Sequence, residues 1–491
     1  MALLALGVAG AQAQDGGGGR ATSLSASVDT QLSYVVNSRT GGMDGGEFVA
    51  ELRPGLQISS RSGRVVGSLN YALGLFYRSQ DSGGQSVQHQ LSSSFSAQLV
   101  ERWMYLDGSA SVSQQTVSAF GQQSAVGSTQ DNRNRIEVAN VSLSPYVRGV
   151  FGSAINYEAR FLANATNGRR SIAADSSGTS ASLSLSSVVT GTALGWGLTA
   201  LTQTSDFRAG RETQSESYSA SLSYMPDPEL TLGARGGQES TNVADTSNTT
   251  YNNWGGSVTW RPTDRTRVQL DMDERYFGRA YRFTLDHRLA NSSLQYSSSR
   301  DASNGSASSG AGQRLTVYQV FFAQFASLQP DPVLRDLLVL DFLRAQNLDP
   351  NAVVSGGFLN TAVTVQQRHQ LTLSYAGLRM AGSAQAFASS ARVIDAAAVS
   401  PTNQNTRQWG YLANASYRLS PDATLALTGS RLLTQGDYTR AGTNLKSLTL
   451  SLSSQLARRT SAALSVRYSV FNSATDPYRE AGISASLSQR F

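Results

Sequence analysis

The amino-acid sequence predicts an all-β fold: one transmembrane antiparallel β-barrel of about 22 strands. Three observations predict it. Apolar and polar residues alternate along most of the chain after Ala21. The alternating segments are long, often about 10 to 14 residues, where soluble strands average nearer 5 or 6 and tilted membrane strands need about 9 to 11. Short turns also alternate with longer polar loops, which is the pattern of barrels in the bacterial outer membrane.

A strand sends successive side chains to opposite faces, so alternation sorts them into two surfaces. In Arg267 to Arg275, Val268, Leu270 and Met272 share one face, and Arg267, Asp271, Asp273 and Arg275 share the other. Tyr281, Phe283 and Leu285 then oppose Arg282, Asp286 and Arg288. Tyr157 and Phe161 oppose Glu158 and Arg160, and Leu464, Val466 and Tyr468 oppose Arg467 and Ser469. The apolar faces carry aromatics toward both ends, as with Trp254 and Trp260, or Trp409 and Tyr417. Such pairs suit two interfacial girdles.

Short turns are expected at Arg61 to Arg64, Arg148 to Val150, Thr190 to Thr192, Pro226 to Pro228, Leu289 to Asn291 and Ala457 to Arg459. Longer polar loops are expected at Thr116 to Asn134, Asn164 to Gly178, Ser240 to Thr249 and Thr434 to Thr443. The first strand is expected near Ser23 to Val36 and the last near Ala481 to Phe491. Gly357 to Ala376 fits one long strand or two shorter ones. An even count puts both termini on the periplasmic side.

Residues 1–13, MALLALGVAGAQA, read as a signal-peptide remnant with the small-residue pattern Ala11-Gln12-Ala13. Residues 14–21 read as a flexible tether and 22–491 as the barrel. In the last strand Ile483, Leu487 and the terminal Phe491 share a face. An alternating strand that ends on an aromatic resembles the signal read by the outer-membrane barrel assembly machinery. That machinery and outer-membrane lipid are the expected partners, and the outer membrane the expected location.

Composition narrows the function. With no cysteine among 491 residues, disulfide scaffolds, thiolate metal sites and cysteine nucleophiles are excluded. The net charge of +6 comes from basic residues spread thinly, of which only Lys446 is lysine; no nucleic-acid partner is expected. No apolar run approaches the ~20 residues of a transmembrane helix.

One segment, 301–357, does not alternate. Asp301 to Gln313 is rich in serine and glycine. VYQVFFAQFASL (Val317–Leu328) is ambiguous between helix and strand; VLRDLLVLDFLRAQ (Val333–Gln346) repeats apolar residues at helical spacing after an Asp-Pro start. Parity places this partly helical insertion in an outer loop. Its apolar residues, Phe321, Phe322, Phe325, Leu334, Leu337, Leu338 and Phe342, are candidates for a plug or lid, or for a small local core.

Four stretches carry a family likeness: LDGSASVSQQTVSAFG (Leu106–Gly121), SPYVRG (Ser144–Gly149), YRFTLDHRLANSSLQYS (Tyr281–Ser297) and DPVLRDLLVLDFL (Asp331–Leu343). The chain resembles the outer-membrane β-barrel proteins associated with the PEP-CTERM/exosortase system of Gram-negative bacteria. The resemblance covers most of the chain. It implies exopolysaccharide export or protein sorting as context, with polysaccharide or sorting-system components as partners. It supplies no catalytic residues.

The residues themselves argue against catalysis. His89, His287 and His369 lie far apart and match no metal spacing, and no serine sits in G-x-S-x-G. No cofactor or metal is expected. Arg267, Asp271, Asp273, Arg275, Arg282, Asp286 and Arg288 should line the lumen, because Arg at the bilayer midplane costs about 2–4 kcal/mol. They would serve as a solute path or as ion pairs bracing the wall. A non-enzymatic channel with a loop plug is the leading expectation, and a partner-docking barrel with a closed lumen is the alternative. An energy-coupled nutrient transporter ranks lower, because strands begin within about ten residues of the cleavage pattern, leaving no space for an N-terminal plug domain.

Overall fold

The computed structural model describes residues 22–39, 45–80, 87–125, 127–128, 132–169, 175–188, 193–208, 210–303, 318, 322, 335, 339, 358, 362–395, 405–436 and 440–491. The signal remnant and tether lie outside these residues. So do Thr190 to Thr192, Phe321, Phe325, Leu334, Leu337, Leu338 and Phe342.

Twenty-two antiparallel strands form one sheet. In chain order they begin with β1 Thr22–Arg39, β2 Gly45–Ser62, β3 Val65–Arg78, β4 Val87–Val100, β5 Met104–Thr116, β6 Arg135–Phe151 and β7 Ile155–Gly168. There follow β8 Ser176–Ser187, β9 Leu194–Phe207, β10 Glu212–Asp227, β11 Leu230–Thr241, β12 Thr249–Thr263, β13 Thr266–Arg275, β14 Gly278–Arg288 and β15 Ser292–Ser303. The last are β16 Thr364–Ala376, β17 Met380–Val393, β18 Thr406–Arg418, β19 Ala423–Thr434, β20 Thr443–Ala457, β21 Thr460–Asn472 and β22 Tyr478–Arg490. Lengths run from 10 residues in β13 to 18 in β1 and β2.

The sheet closes where β1 pairs with β22, from Ser27↔Arg490 to Arg39↔Tyr478. Each strand therefore has two neighbours and no edge is left open. The closure also sorts the side chains. Leu32, Tyr34, Leu52, Leu56, Val141, Leu198, Trp254, Leu450, Val466 and Ile483 are exposed and share the convex face. Serines, arginines and carboxylates alternate with them on the concave face. There Ser109–Ser142, Ser293–Ser374, Ser430–Ser447 and Ser465–Ser484 bond across neighbouring strands at 2.6–2.7 Å. An apolar belt around a polar lumen, on a closed ring without edges, belongs in a membrane. The chain is an outer-membrane β-barrel, as expected.

The two ends differ. At the end holding both chain termini the described turns are short: Gly63-Arg64, Asp264-Arg265 and Arg458-Arg459 join their strands directly. This end is periplasmic by the usual asymmetry. One expected turn is displaced. The strand β6 runs through Arg148 to Val150 and turns at Gly152, whose φ of 61° sits in the left-handed region that glycine adopts without a Cβ clash. The expected loop from Asn164 to Gly178 also shrinks, since β7 continues to Gly168 and β8 begins at Ser176. Alternation through Asn164 and Thr166 carried the strand further than residue polarity implied; Thr166 bonds Asn140 across the ladder at 2.9 Å. Asp301 to Ser303 complete β15, and among the described residues from Gly357 to Ala376 the one strand is β16.

Leu450 lies midway along β20 on the convex face, 45% exposed. Leu450→Arg is expected to destabilise the barrel by about 2–4 kcal/mol in reversible unfolding from lipid vesicles; an unchanged unfolding midpoint would place this face away from lipid.

Candidate functional site in the barrel mouth

The concave wall is organised by buried carboxylates, each held by arginine. Glu239 on β11 is 1% exposed and receives Arg275 of β13 through Nε at 3.1 Å and Nη2 at 2.5 Å. Arg275 also reaches Asp301 of β15 at 2.9 Å. Beside them Arg235 chelates Asp273. Gly255 faces Asp273 across the ladder, and a Cβ there would collide with the carboxylate, so glycine makes room for the pair. Farther round, Arg160 bridges Asp107 at 3.0 Å and Glu158 at 3.1 Å. Its guanidinium lies 3.9 Å over the Tyr146 ring, which stacks on Tyr105. Two-point pairing of this kind suits the planar guanidinium.

At the outer end two further pairs hold loops inside the ring. The loop between β5 and β6 first satisfies its own backbone. Val117 N donates to Asn134 O at 2.8 Å, Asn134 Nδ2 to Ser118 O at 2.7 Å, and Asn132 Nδ2 to Gln122 O at 3.1 Å. The closed loop then docks on the concave face of β20 to β22. Tyr478 donates to Gln123 O at 2.7 Å, Arg467 Nη1 to Gly127 O at 2.5 Å, and Ser128 to Glu480 Oε2 at 3.0 Å. Arg467 pairs with Glu480, which is fully buried. Phe471, Tyr478, Leu445 and Leu432 form the apolar floor beneath the contact. From β5 to β22 is five strands by way of β1, roughly 24 Å of wall at the usual strand spacing. The loop crosses that distance as a chord inside the mouth.

A second junction lies across the ring. Phe207, Val243 and Val363 are buried together, with Tyr276 and Ile394 packed against them. Phe207 ends β9, and the others lie one or two residues beyond the outer ends of β11, β13, β16 and β17. Burial pushes the Tyr276 phenol well above its ordinary range. Arg211 ties the junction: its Nε donates to Asp395 Oδ1 at 2.7 Å and its Nη2 to the carbonyls of Asn242 and Val243 at 2.5 and 3.0 Å. Phe358, six residues before β16, bridges in parallel to Thr116 at the end of β5. The strands β5 and β16 stand halfway round the ring from each other. Phe358, just past the insertion, thus meets the root of the docked loop.

Within the insertion Tyr318, Phe322, Arg335 and Val339 are helical. The Tyr318 and Phe322 rings stack at 5.5 Å, one helical turn apart, and Arg335 lies 4.8 Å over Phe322. Val339 is fully buried. Helix is therefore present in both pieces, including the one the sequence left open between helix and strand.

The seven charged positions singled out from the sequence all fall on the concave face of β13 and β14. Asp273 and Arg275 are paired as described. Arg267 stands opposite Asp286 and Asp271 opposite Arg282 in the register. Arg267, Arg282 and Arg288 are exposed to the lumen. His287 points outward near the periplasmic rim and bonds Thr266 at 2.9 Å, with Asp286 on the other face. Ile483, Leu487 and Phe491 are exposed on the convex face beside the closing seam.

The docked loop was not singled out from the sequence. A signal exists: Phe471 and Tyr478 occupy the polar faces of β21 and β22, in line with Arg467 and Glu480. A large aromatic on a lumen face calls for something to cover it.

Arg467→Ala leaves Glu480 buried without its cation, which costs about 3–5 kcal/mol. The loop is expected to leave the wall, and limited proteolysis of the intact barrel between Val117 and Asn134 should become at least ~100-fold faster. Arg160→Ala, remote from the loop, should leave that cleavage rate unchanged.

No family model matches the chain, and no curated protein matches it. Among solved structures it is similar to the FrpB iron transporter from Neisseria meningitidis (F5-1 variant), at 10% identity over 95% of this chain and 82% of that one, with a TM-score of 0.46. It is also similar to the siderophore receptor PirA from Pseudomonas aeruginosa, at 9% identity over 95% and 80% with a TM-score of 0.44. A third likeness is to a loop-deletion mutant of OmpT, an outer membrane protein of Vibrio cholerae, at 9% identity over 96% and 100% with a TM-score of 0.31.

Proposed function

We propose that the chain is a non-enzymatic outer-membrane channel for a polar solute, narrowed by its own loops. The observation that carries this reading is the combination of a charged lumen with a strapped mouth. A ring of 22 strands is too wide for side chains alone to fill. Below the straps Arg267, Arg282 and Arg288 remain exposed on one wall. Guanidinium groups grip carboxylates and bond sugar hydroxyls, so an acidic saccharide chain suits this wall. The family resemblance of the sequence adds a context of exopolysaccharide export or PEP-CTERM protein sorting, and we place the channel there.

A second reading has an observation of its own. The mouth is crossed by two junctions, one braced by buried Glu480 and the other by buried Asp395. A barrel closed in this way would serve as a docking platform for a partner on the outer side. Conductance separates the two.

The purified barrel in planar bilayers is expected to conduct ions, and deletion of 317–346 to raise single-channel conductance at least about twofold if the insertion constricts the path. Silence from both forms would leave only the docking reading. Arg282→Glu is expected to shift the reversal potential toward cation preference under a salt gradient, and an unmoved potential would remove this wall from the path.

A further inference from the structure

The convex face carries a basic row that the channel does not use. On β19 the outward positions rise from Leu425 and Leu427 through Gly429 to Arg431. On β20 they rise through Leu452, Leu450 and Leu448 to Lys446. On β22 they rise through Leu487, Ala485, Ile483 and Ala481 to Arg479. The register joins these tops into one line, Arg431↔Lys446↔Val470↔Arg479, across four adjacent strands. The row sits on the half of the belt nearer the outer loops, immediately above the apolar surface.

The row is unfavourable as it stands. Arg431 and Lys446 are direct cross-strand partners, and like charges so placed repel. Lys446 and Arg479 are exposed, and no described carboxylate forms an ion pair with any of the three. Arg431 is held in place: its Nε donates to Asn444 Oδ1 at 3.2 Å and its guanidinium lies 4.9 Å from the Trp409 ring. Lys446 is the single lysine of the chain. Around β9 and β10 the outward rim has the opposite sign or is neutralised. Asp206 and Glu212 oppose each other on β9 and β10, and Arg208 pairs with Asp175.

We propose that Arg431, Lys446 and Arg479 bind the phosphate groups of a phosphorylated outer-leaflet lipid whose acyl chains cover Leu448, Leu450, Ile483 and their neighbours. The surface asks for both halves of such a molecule. The leucine columns need chains, and the cations one rung above need anions at the depth where a headgroup begins. Guanidinium and ammonium groups both bind phosphate, the first as a fork and the second as a point charge. Bridging by phosphate would turn the Arg431–Lys446 repulsion into a shared attraction.

The test uses the full-length barrel in zwitterionic detergent with fluorescent diphosphoryl lipid A as probe. Each basic side chain at an anionic surface contributes about a factor of five, so the triple variant Arg431→Gln, Lys446→Gln, Arg479→Gln should bind roughly 100-fold more weakly. Heat-modifiable gel mobility shows that the variant is folded, and Arg407→Gln, nearer the outer loops on β18, serves as a matched control with little effect. A dephosphorylated lipid of the same chains should bind wild type and triple variant equally weakly. Equal binding of diphosphoryl lipid to both proteins overturns the proposal. So does a triple variant that keeps its lipid but loses self-association in native mass spectrometry, since the row would then contact the acidic rim of a second copy.

Discussion

Backbone hydrogen bonding in a medium without water is the constraint on which this structure depends. Within hydrocarbon every N–H and C=O must find a partner in the protein, and a sheet achieves this only by closing. Here closure falls to β1 and β22, whose pairing from Ser27↔Arg490 to Arg39↔Tyr478 joins the two ends of the chain. Once the ring is shut, each side chain faces either lipid or lumen. Leu450 and Ser451 are neighbours in sequence and belong to different solvents.

Closing 22 strands creates a second problem, a lumen wider than its wall can fill. The chain answers it at the outer end. Buried carboxylates would be costly alone, and each is met by a guanidinium with good geometry. Glu239 with Arg275 braces the wall, whereas Glu480 with Arg467 also holds a loop. The loop between β5 and β6 can enter the lumen because Asn132, Asn134 and Gln123 satisfy its carbonyls internally. Without them a buried loop would carry unpaired backbone groups.

The same logic sets the division of labour among arginines. Arg275, Arg467 and Arg211 are tied to acids or carbonyls and act as struts. Arg267, Arg282 and Arg288 stay open to the lumen, and Arg431 and Arg479 look outward. One residue type serves three environments because its charge is fixed and its donors form a fork.

Much of this was legible in the sequence, for a physical reason. A strand's period of two is local, so residues 267–275 alone reveal which side chains avoid lipid, and the terminal strands could be placed at both ends of the chain. Turn positions were less secure where alternation ran on: β6 continues past Arg148 to Phe151 because its ladder to β7 continues, and Gly152 takes the positive φ that ends it. What one dimension could not carry is contact between distant segments. That Ser128 would meet Glu480, or Phe358 meet Thr116, depends on the curvature of the closed ring, which brings together residues no periodicity relates. The chain's pattern settled the barrel, its two faces and its charged wall; the closed ring settled how the mouth is strapped, because only closure turns positions far apart in sequence into opposite sides of one space.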